Sequence, residues 1–429
     1  MTTFQTNPEL GQPGGRGNGN GGNGGSDTPP FDAHLRDVAR RVRRALSEVL
    51  SAIGADPTRP QSVARQLGLD KNLAWKTSKI VSDDDLFAAI PKLPGRSGQK
   101  ILIKSFQNAG APVDAVTAVQ EAMDEFERLV ETHAGDRETL EMMLSGLTKE
   151  GQVERDEAHR RLAFQGNSAI WGVQARVQIA AHFVAPTANV PGKLDMASIS
   201  GLVDLRRLRH DAPWAVATMQ SFSDDGTPRE FGNWEPLDQS ELNKSGLPVL
   251  RAFSTDPVPP MQVTKTQTGG RRYELIEGPV GNAGAVTCIT GWMDRASVNM
   301  YQTPDDKIGE HLVFLCTPVE VIVQDLYVHR SMTFAHAPRA LVYSQMPGGP
   351  VYPYVSRNQG VLPVAETMIS LGTPPDLTTP EIPRYRQMVE MAASRLGHSM
   401  SDFVGFRMRL RYPPIPTTMV YTYNLPEQR

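Results

Sequence analysis

The sequence predicts an α+β fold, with an N-terminal all-α domain followed by a sheet-rich C-terminal one. Three observations carry this reading. Apolar residues recur at steps of three and four from Phe31 onward, the spacing of helices that bury one face. From Pro186 that period gives way to frequent prolines and glycines and to short β-branched runs, the texture of strands and turns. The run Val319–Val328 contains neither Gly nor Pro and alternates in part, which makes it the strongest strand signal in the chain.

A chain of 429 residues is long for one core, so more than one domain is expected. The net charge of −3 gives no whole-chain bias toward an acidic or basic partner. Only Cys288 and Cys316 occur, too few and too far apart for a zinc cluster or a disulfide framework. No apolar run approaches the ~20 residues of a membrane span. No basic segment followed by an apolar core opens the chain, so a cytoplasmic, reducing location is expected. No cofactor and no metal are expected.

Residues 1–30 read as a tail. The tract Gly14–Gly25 has no apolar side chain to bury, so nothing offsets its backbone entropy and disorder is expected. Residues 31–150 read as a helical domain, 151–185 as a connecting helix, and 186–429 as an α+β domain with a sensory or oligomerising role.

The first helix is expected from Asp32, as a cap, through Leu35, Val38, Val42, Leu46, Val49 and Ile53, ending at Gly54. Its other faces carry Arg36, Arg40, Arg41, Arg43 and Arg44. Such a charge run is either a solvated face or a set of phosphate contacts, with Arg40 and Arg44 the candidates for the latter.

The segment Pro60–Lys79 is the most informative part of the chain. Val63, Leu67 and Leu69 supply apolar contacts, Ala64 permits close helix approach, and Gly68 permits a tight turn. Asp70 is placed to cap a second helix over Lys71–Val81. The segment resembles the helix-turn-helix of bacterial transcriptional regulators, over about twenty residues. The resemblance implies that the second helix enters the major groove of double-stranded DNA. By position its candidates are Lys71, Asn72, Trp75, Lys76 and Lys79, with Asn72 suited to adenine and the lysines to guanine or phosphate. One departure stands out: the inward positions are Ala74, Thr77 and Ser78 where large aliphatic residues are usual, and an ordinary buried helical hairpin would use similar residues.

Charge is segregated along the chain. Fourteen basic residues face eight acidic ones between Phe31 and Lys104, the local excess that attraction to phosphate requires. Gly95–Lys100 is either a basic turn or the start of a helix through Asn108. Pro112–Thr132 then reads as an acidic helix with Val113, Val116, Val119, Met123, Phe126 and Val130 inward. Its wet face is suited to a second subunit, and a homo-oligomer is expected because operator-binding proteins are usually dimeric.

A further helix is expected over Gln152–Ala185, with its charges early, its later part buried, and Trp171 in a core. His159 and His182 on it face no matching ligand set, so they read as structural.

The C-terminal half offers strands at Gly284–Thr290, His311–Thr317, Ala340–Tyr343, Phe403–Leu410 and Met419–Tyr423, and one helix at Pro383–Leu396 with Gly397 as its stop. Gly278–Gly284 spaces its glycines by three but opens no helix, so a turn is expected rather than a dinucleotide fingerprint. Pro304-Asp305-Asp306 reads as a turn, not an acid/base pair. No catalytic motif is found and no enzyme activity is expected. His329, Arg330, His336 and Arg339 follow the strongest strand and are the candidates for a polar ligand pocket, against the plainer reading of loop histidines. The reading that follows is a DNA-binding regulator with a sensory or oligomerising domain. The alternative is a structural protein that self-assembles or binds a protein partner without DNA.

Overall fold

A computed structural model describes residues 30–145, 152–219, 221–222, 228–229, 234–238, 246–265, 270–275, 277–304, 307–344, 360–364 and 368–428. The glycine-rich tract and the Asp305-Asp306 pair lie outside these residues. The chain divides into two compact units, Met1–Lys149 and Glu150–Arg429, and combines helices with sheets as expected.

The first unit is helical. Its elements are α1 (Phe31–Ala52), α2 (Pro60–Leu67), α3 (Lys71–Ser82), α4 (Leu86–Ala89), α5 (Arg96–Asn108), α6 (Val113–His133) and α7 (Arg137–Ser145). One core joins them: Leu35, Val38, Val42, Leu46 and Val49 of α1 pack with Val63 and Leu67 of α2, Phe106 of α5, and Val119, Met123, Phe126 and Val130 of α6. The apolar stripes read from sequence are therefore the packed ones. Three details differ. The cap of α1 is Pro30 with no side-chain acceptor, so Asp32 sits within the first turn, where its charge favours the helix dipole instead. Arg96 already belongs to α5, so Gly95–Lys100 is a helix start rather than a basic turn. Val113 is exposed, because it is the first residue of α6 and precedes the turn that meets the core.

The second unit opens with α8 (Gln152–Trp171), but that helix stops well short of Ala185. Gly172 takes a left-handed φ of 74°, which ends the helix at little steric cost, and Val173–Pro186 follows as β1. The apolar run expected to be a buried helix is a central strand. His182 accordingly lies on β1 and is buried, while Trp171 is about half exposed, edge-on to Trp214, rather than in a core.

The remaining strands are β2 (Lys193–Arg207), β3 (Trp214–Met219), β4 (Ser221–Phe222), β5 (Pro228–Arg229), β6 (Glu235–Pro236), β7 (Gln262–Lys265), β8 (Arg271–Leu275), β9 (Val286–Asn299), β10 (Ile308–Leu315), β11 (Val319–His329), β12 (Arg339–Tyr343), β13 (Ile369–Gly372), β14 (Phe403–Arg411) and β15 (Thr417–Asn424), with α9 (Tyr385–Leu396) before β14. The main sheet runs β13-β14-β11-β1-β2-β9-β6. Among the described strands of this sheet, β1 and β11 pair in parallel, with Val177 opposite Val321 and Phe183 opposite Tyr327. The expected strand at Gly284–Thr290 starts at Val286 and runs on to Asn299.

Both faces of the main sheet are covered, which explains the composition of its central strands. Val177, Ile179 and Phe183 of β1 pack with Met388, Val389 and Ala392 of α9 on one face. Ala180 and Val184 pack on the other face with Leu315, Met419 and Tyr421 of the β10-β15-β12 sheet. A third cluster joins Val173 and Leu205 to Val216 and Tyr273 of the β3-β8-β7 sheet. Two polar groups are folded into these cores. Asp325 is fully buried and takes two hydrogen bonds from Arg407, at 2.8 and 2.7 Å; the Tyr327 and Tyr385 hydroxyls also donate to it. His182 and His311 lie with ring centroids 5.8 Å apart.

Candidate nucleic-acid interface

The α2–α3 hairpin is built by its own sequence. Pro60 occupies the first turn of α2, where a missing N–H costs nothing. Gly68 ends α2 in the left-handed conformation at φ 62°. Asp70 then caps α3, its carboxylate accepting from the backbone N–H of Asn72 at 2.8 Å and of Leu73 at 3.4 Å.

The residues of α3 sort cleanly around its axis. Ala74, Thr77, Ser78 and Ile80 are buried, whereas Lys71, Asn72, Trp75, Lys79 and Ser82 are exposed. At about 100° per residue the exposed set forms one continuous face, with Lys71, Trp75 and Lys79 stacked at i, i+4 and i+8. Lys76 is half-buried at the edge of that face. The small inward residues let α3 lie close to its neighbours, and Thr77 meets its own polar need by donating to the Leu73 carbonyl at 2.9 Å.

Among the described residues none of Lys71, Lys76 and Lys79 enters an ion pair. Beyond the end of α3, Asp83 is held below the usual carboxylate range, first by the hydrogen bond from Lys92 and to a smaller degree by the charges of Lys92 and Lys79. Trp75 is 43% exposed, an unusual position for so large an apolar surface in the middle of a charged face.

Arg40 and Arg44 stand elsewhere. They line an open groove of about 770 Å³ with Arg36, Arg43, Val81, Asp84, Asp85 and Phe87. Arg43 fixes the groove's position by donating from Nε to the Ile80 carbonyl at 2.9 Å, in the last turn of α3. The arginines thus border the C-terminal end of the helix whose N-terminal end carries Lys71 and Asn72, about 15 Å away along the axis. Arg44 is paired with Glu48 at 2.8 Å, and the aspartates leave the groove of mixed sign. Arg36 and Arg43 belong with Arg40 and Arg44 in this groove; the i, i+4, i+8 spacing of 36, 40 and 44 was the available signal.

The four residues expected to share a ligand pocket make separate contacts. The His329 ring lies 4.9 Å from that of His398 and shares a hydrogen bond with Ser331 at 2.8 Å. Arg330 approaches Asp402 at 3.6 Å. No hydrogen bond, ion pair or ring contact joins these two to His336 or Arg339. Arg339 opens β12 as an exposed residue, and His336 follows a short turn with its Nε2 buried and without a partner. Burial, and next the neighbouring His398, lower the His329 pKa. His398 and Asp402 were not marked in the sequence because they lie some seventy positions away and only β11–β14 pairing brings them close. Among the described residues no cluster of three or more His, Cys, Asp or Glu is arranged to hold a metal, and no helix is long and apolar enough to cross a membrane.

No protein-family model, curated protein or solved structure matches this chain.

Proposed function

We propose that the helical unit binds duplex DNA as a helix-turn-helix, with α3 entering the major groove and the sheet-rich unit serving as a sensory or oligomerising domain of a cytoplasmic transcriptional regulator. The observation that carries the reading is the continuous exposed face of α3, where Lys71, Asn72, Trp75 and Lys79 stand together with no acidic residue among them. Unpaired ammonium groups on such a face attract phosphate and guanine, and an exposed Asn matches adenine. Arg40, at the groove beside the other end of α3, supplies a flanking phosphate contact in this reading.

A homo-oligomer is part of the proposal. The groove between α5 and α6, about 930 Å³, has Arg96, Lys100 and Lys104 on one wall and Glu121, Asp124, Glu127, Arg128 and Glu131 on the other, with Arg96 already paired to Glu131 at 2.6 Å. Lys100 and Lys104 against Glu121 and Asp124 remain as charges of opposite sign that a second copy can meet across a two-fold axis. Sedimentation at low and high salt tests it: a dimer that dissociates as salt rises supports the arrangement, and a monomer throughout contradicts it.

The DNA reading is tested by electrophoretic retardation of random-sequence duplexes with the full chain. Retardation that is weakened by Lys71→Ala and Lys79→Ala, with circular dichroism unchanged, is the expected result. Equal retardation by wild type and variants, or none, overturns the proposal in favour of an assembly protein.

A further inference from the structure

From the position of Trp75 we infer that α3 selects A·T-containing sites, with Asn72 reading an adenine and Trp75 packing on the 5-methyl group of a neighbouring thymine. This rests on the DNA reading proposed above and adds the base class that the site prefers.

An indole left 43% exposed in the middle of a helix gives up apolar burial that a polar residue at the same position would not. The unit's core is complete without it: Ala74, Ile80, Leu73 and Val81 are the α3 residues that pack inward. Trp75 is therefore free to bury its surface against something outside the fold. Its surroundings restrict what that is. Lys71 and Lys79 flank it one turn away on either side, and Asn72 sits at i−3, close enough for the two side chains to reach adjacent features of one ligand. A purely apolar partner leaves two lysines without a counter-charge, and a purely polar one leaves the indole unused.

The major groove offers both features together. Thymine places a methyl group there beside its O4 acceptor, and adenine presents the N6 donor and N7 acceptor that a carboxamide matches in two hydrogen bonds. Residues three apart on a helix rise about 4.5 Å, comparable with the ~3.4 Å between successive nucleotides. Asn72 and Trp75 thus address the same or the next base pair. A G·C pair has no methyl group at this edge, so it leaves Trp75 without its partner.

The test is site selection with the full chain from a random duplex pool. Each thymine of the selected site is then replaced in turn by deoxyuridine, which lacks only the methyl group. One replacement is expected to weaken wild-type binding about three- to fivefold, the worth of one buried methyl, and to leave Trp75→Ala binding unchanged. Asn72→Ala is expected to lose preference at the adjacent adenine. Because Trp75 and Asn72 are both exposed, neither change should unfold the unit, and circular dichroism checks this. A selected site in which no deoxyuridine replacement matters, or matters equally in Trp75→Ala, overturns the inference while leaving DNA binding intact. A pool that is retained without enrichment also overturns the inference alone, and a pool from which no duplex is retained overturns both.

Discussion

The Arg43 guanidinium donates to the Ile80 carbonyl at 2.9 Å, tying the middle of α1 to the last turn of α3. A helix end leaves carbonyls without intrahelical partners, and here a side chain from another element satisfies one. The orientation of the proposed reading helix therefore depends on a residue that need not touch DNA. Arg43→Ala is expected to cost about 1–2 kcal/mol, the worth of a charge-assisted hydrogen bond with partly buried surroundings. Arg41→Ala, which removes an exposed pair with Glu125, should cost under about 1 kcal/mol. Urea midpoints of the two variants separate these expectations.

At the other end of α3, Asp70 is the only side-chain acceptor capping the helix. Asp70→Ala should destabilise the unit by about 1 kcal/mol, and Asp70→Ser should restore most of it. Backbone amide exchange at Asn72 and Leu73 reports the same change locally. Unaltered exchange in Asp70→Ala would show that the cap contributes nothing.

Much of this unit was legible in the sequence because its signals are local. The stripe of α1, the Gly68 turn and the Asp70 cap each lie within a few residues of what they determine. The helix expected through Ala185 failed for a complementary reason. Strand β1 is buried on both faces, so Val177, Ile179, Ala180, Phe183 and Val184 read as one apolar run with no period to separate strand from helix. Gly172 was the one local sign of the break. The His329 group shows the same limit: its partners His398 and Asp402 come from the segment between α9 and β14, a proximity created by the pairing of β11 with β14.

Acid should destabilise the second unit through two histidines. Burial holds His182 down at about 4, and burial together with the neighbouring His182 holds His311 at about 3. Both stay neutral when folded, whereas the unfolded chain takes up protons below about pH 6.5. Stability is thus complete above about pH 6.5 and declines as the pH falls toward 4, on the order of a few kcal/mol in total. Thermal melts between pH 7 and 4 should show the decline, and a His182→Gln, His311→Gln double variant should flatten it. An identical slope in that variant would assign acid sensitivity elsewhere.

The Asp325–Arg407 pair is the most exacting electrostatic feature of the sheet. Burial works against the Arg407 charge, but the hydrogen bonds and charge of Asp325 outweigh it and raise its pKa. Asp325→Asn leaves that cation without its counter-charge and should cost about 3–5 kcal/mol. Asp325→Leu with Arg407→Met removes both charges but also the acceptor of the Tyr327 and Tyr385 hydroxyls, and should recover part of the loss. If the double variant is as unstable as the single one, the pair is held by packing rather than by charge balance.

The salt dependence of duplex binding by the full chain tests DNA recognition by α3 most directly. Each phosphate neutralised contributes about 0.9 to the slope of log affinity against log salt. Wild type should lose affinity steeply between low and physiological salt, and a Lys71→Ala, Lys76→Ala, Lys79→Ala variant should have a slope smaller by about 2 to 3. Binding that is absent at low salt, or a slope that the three substitutions leave unchanged, would contradict the account.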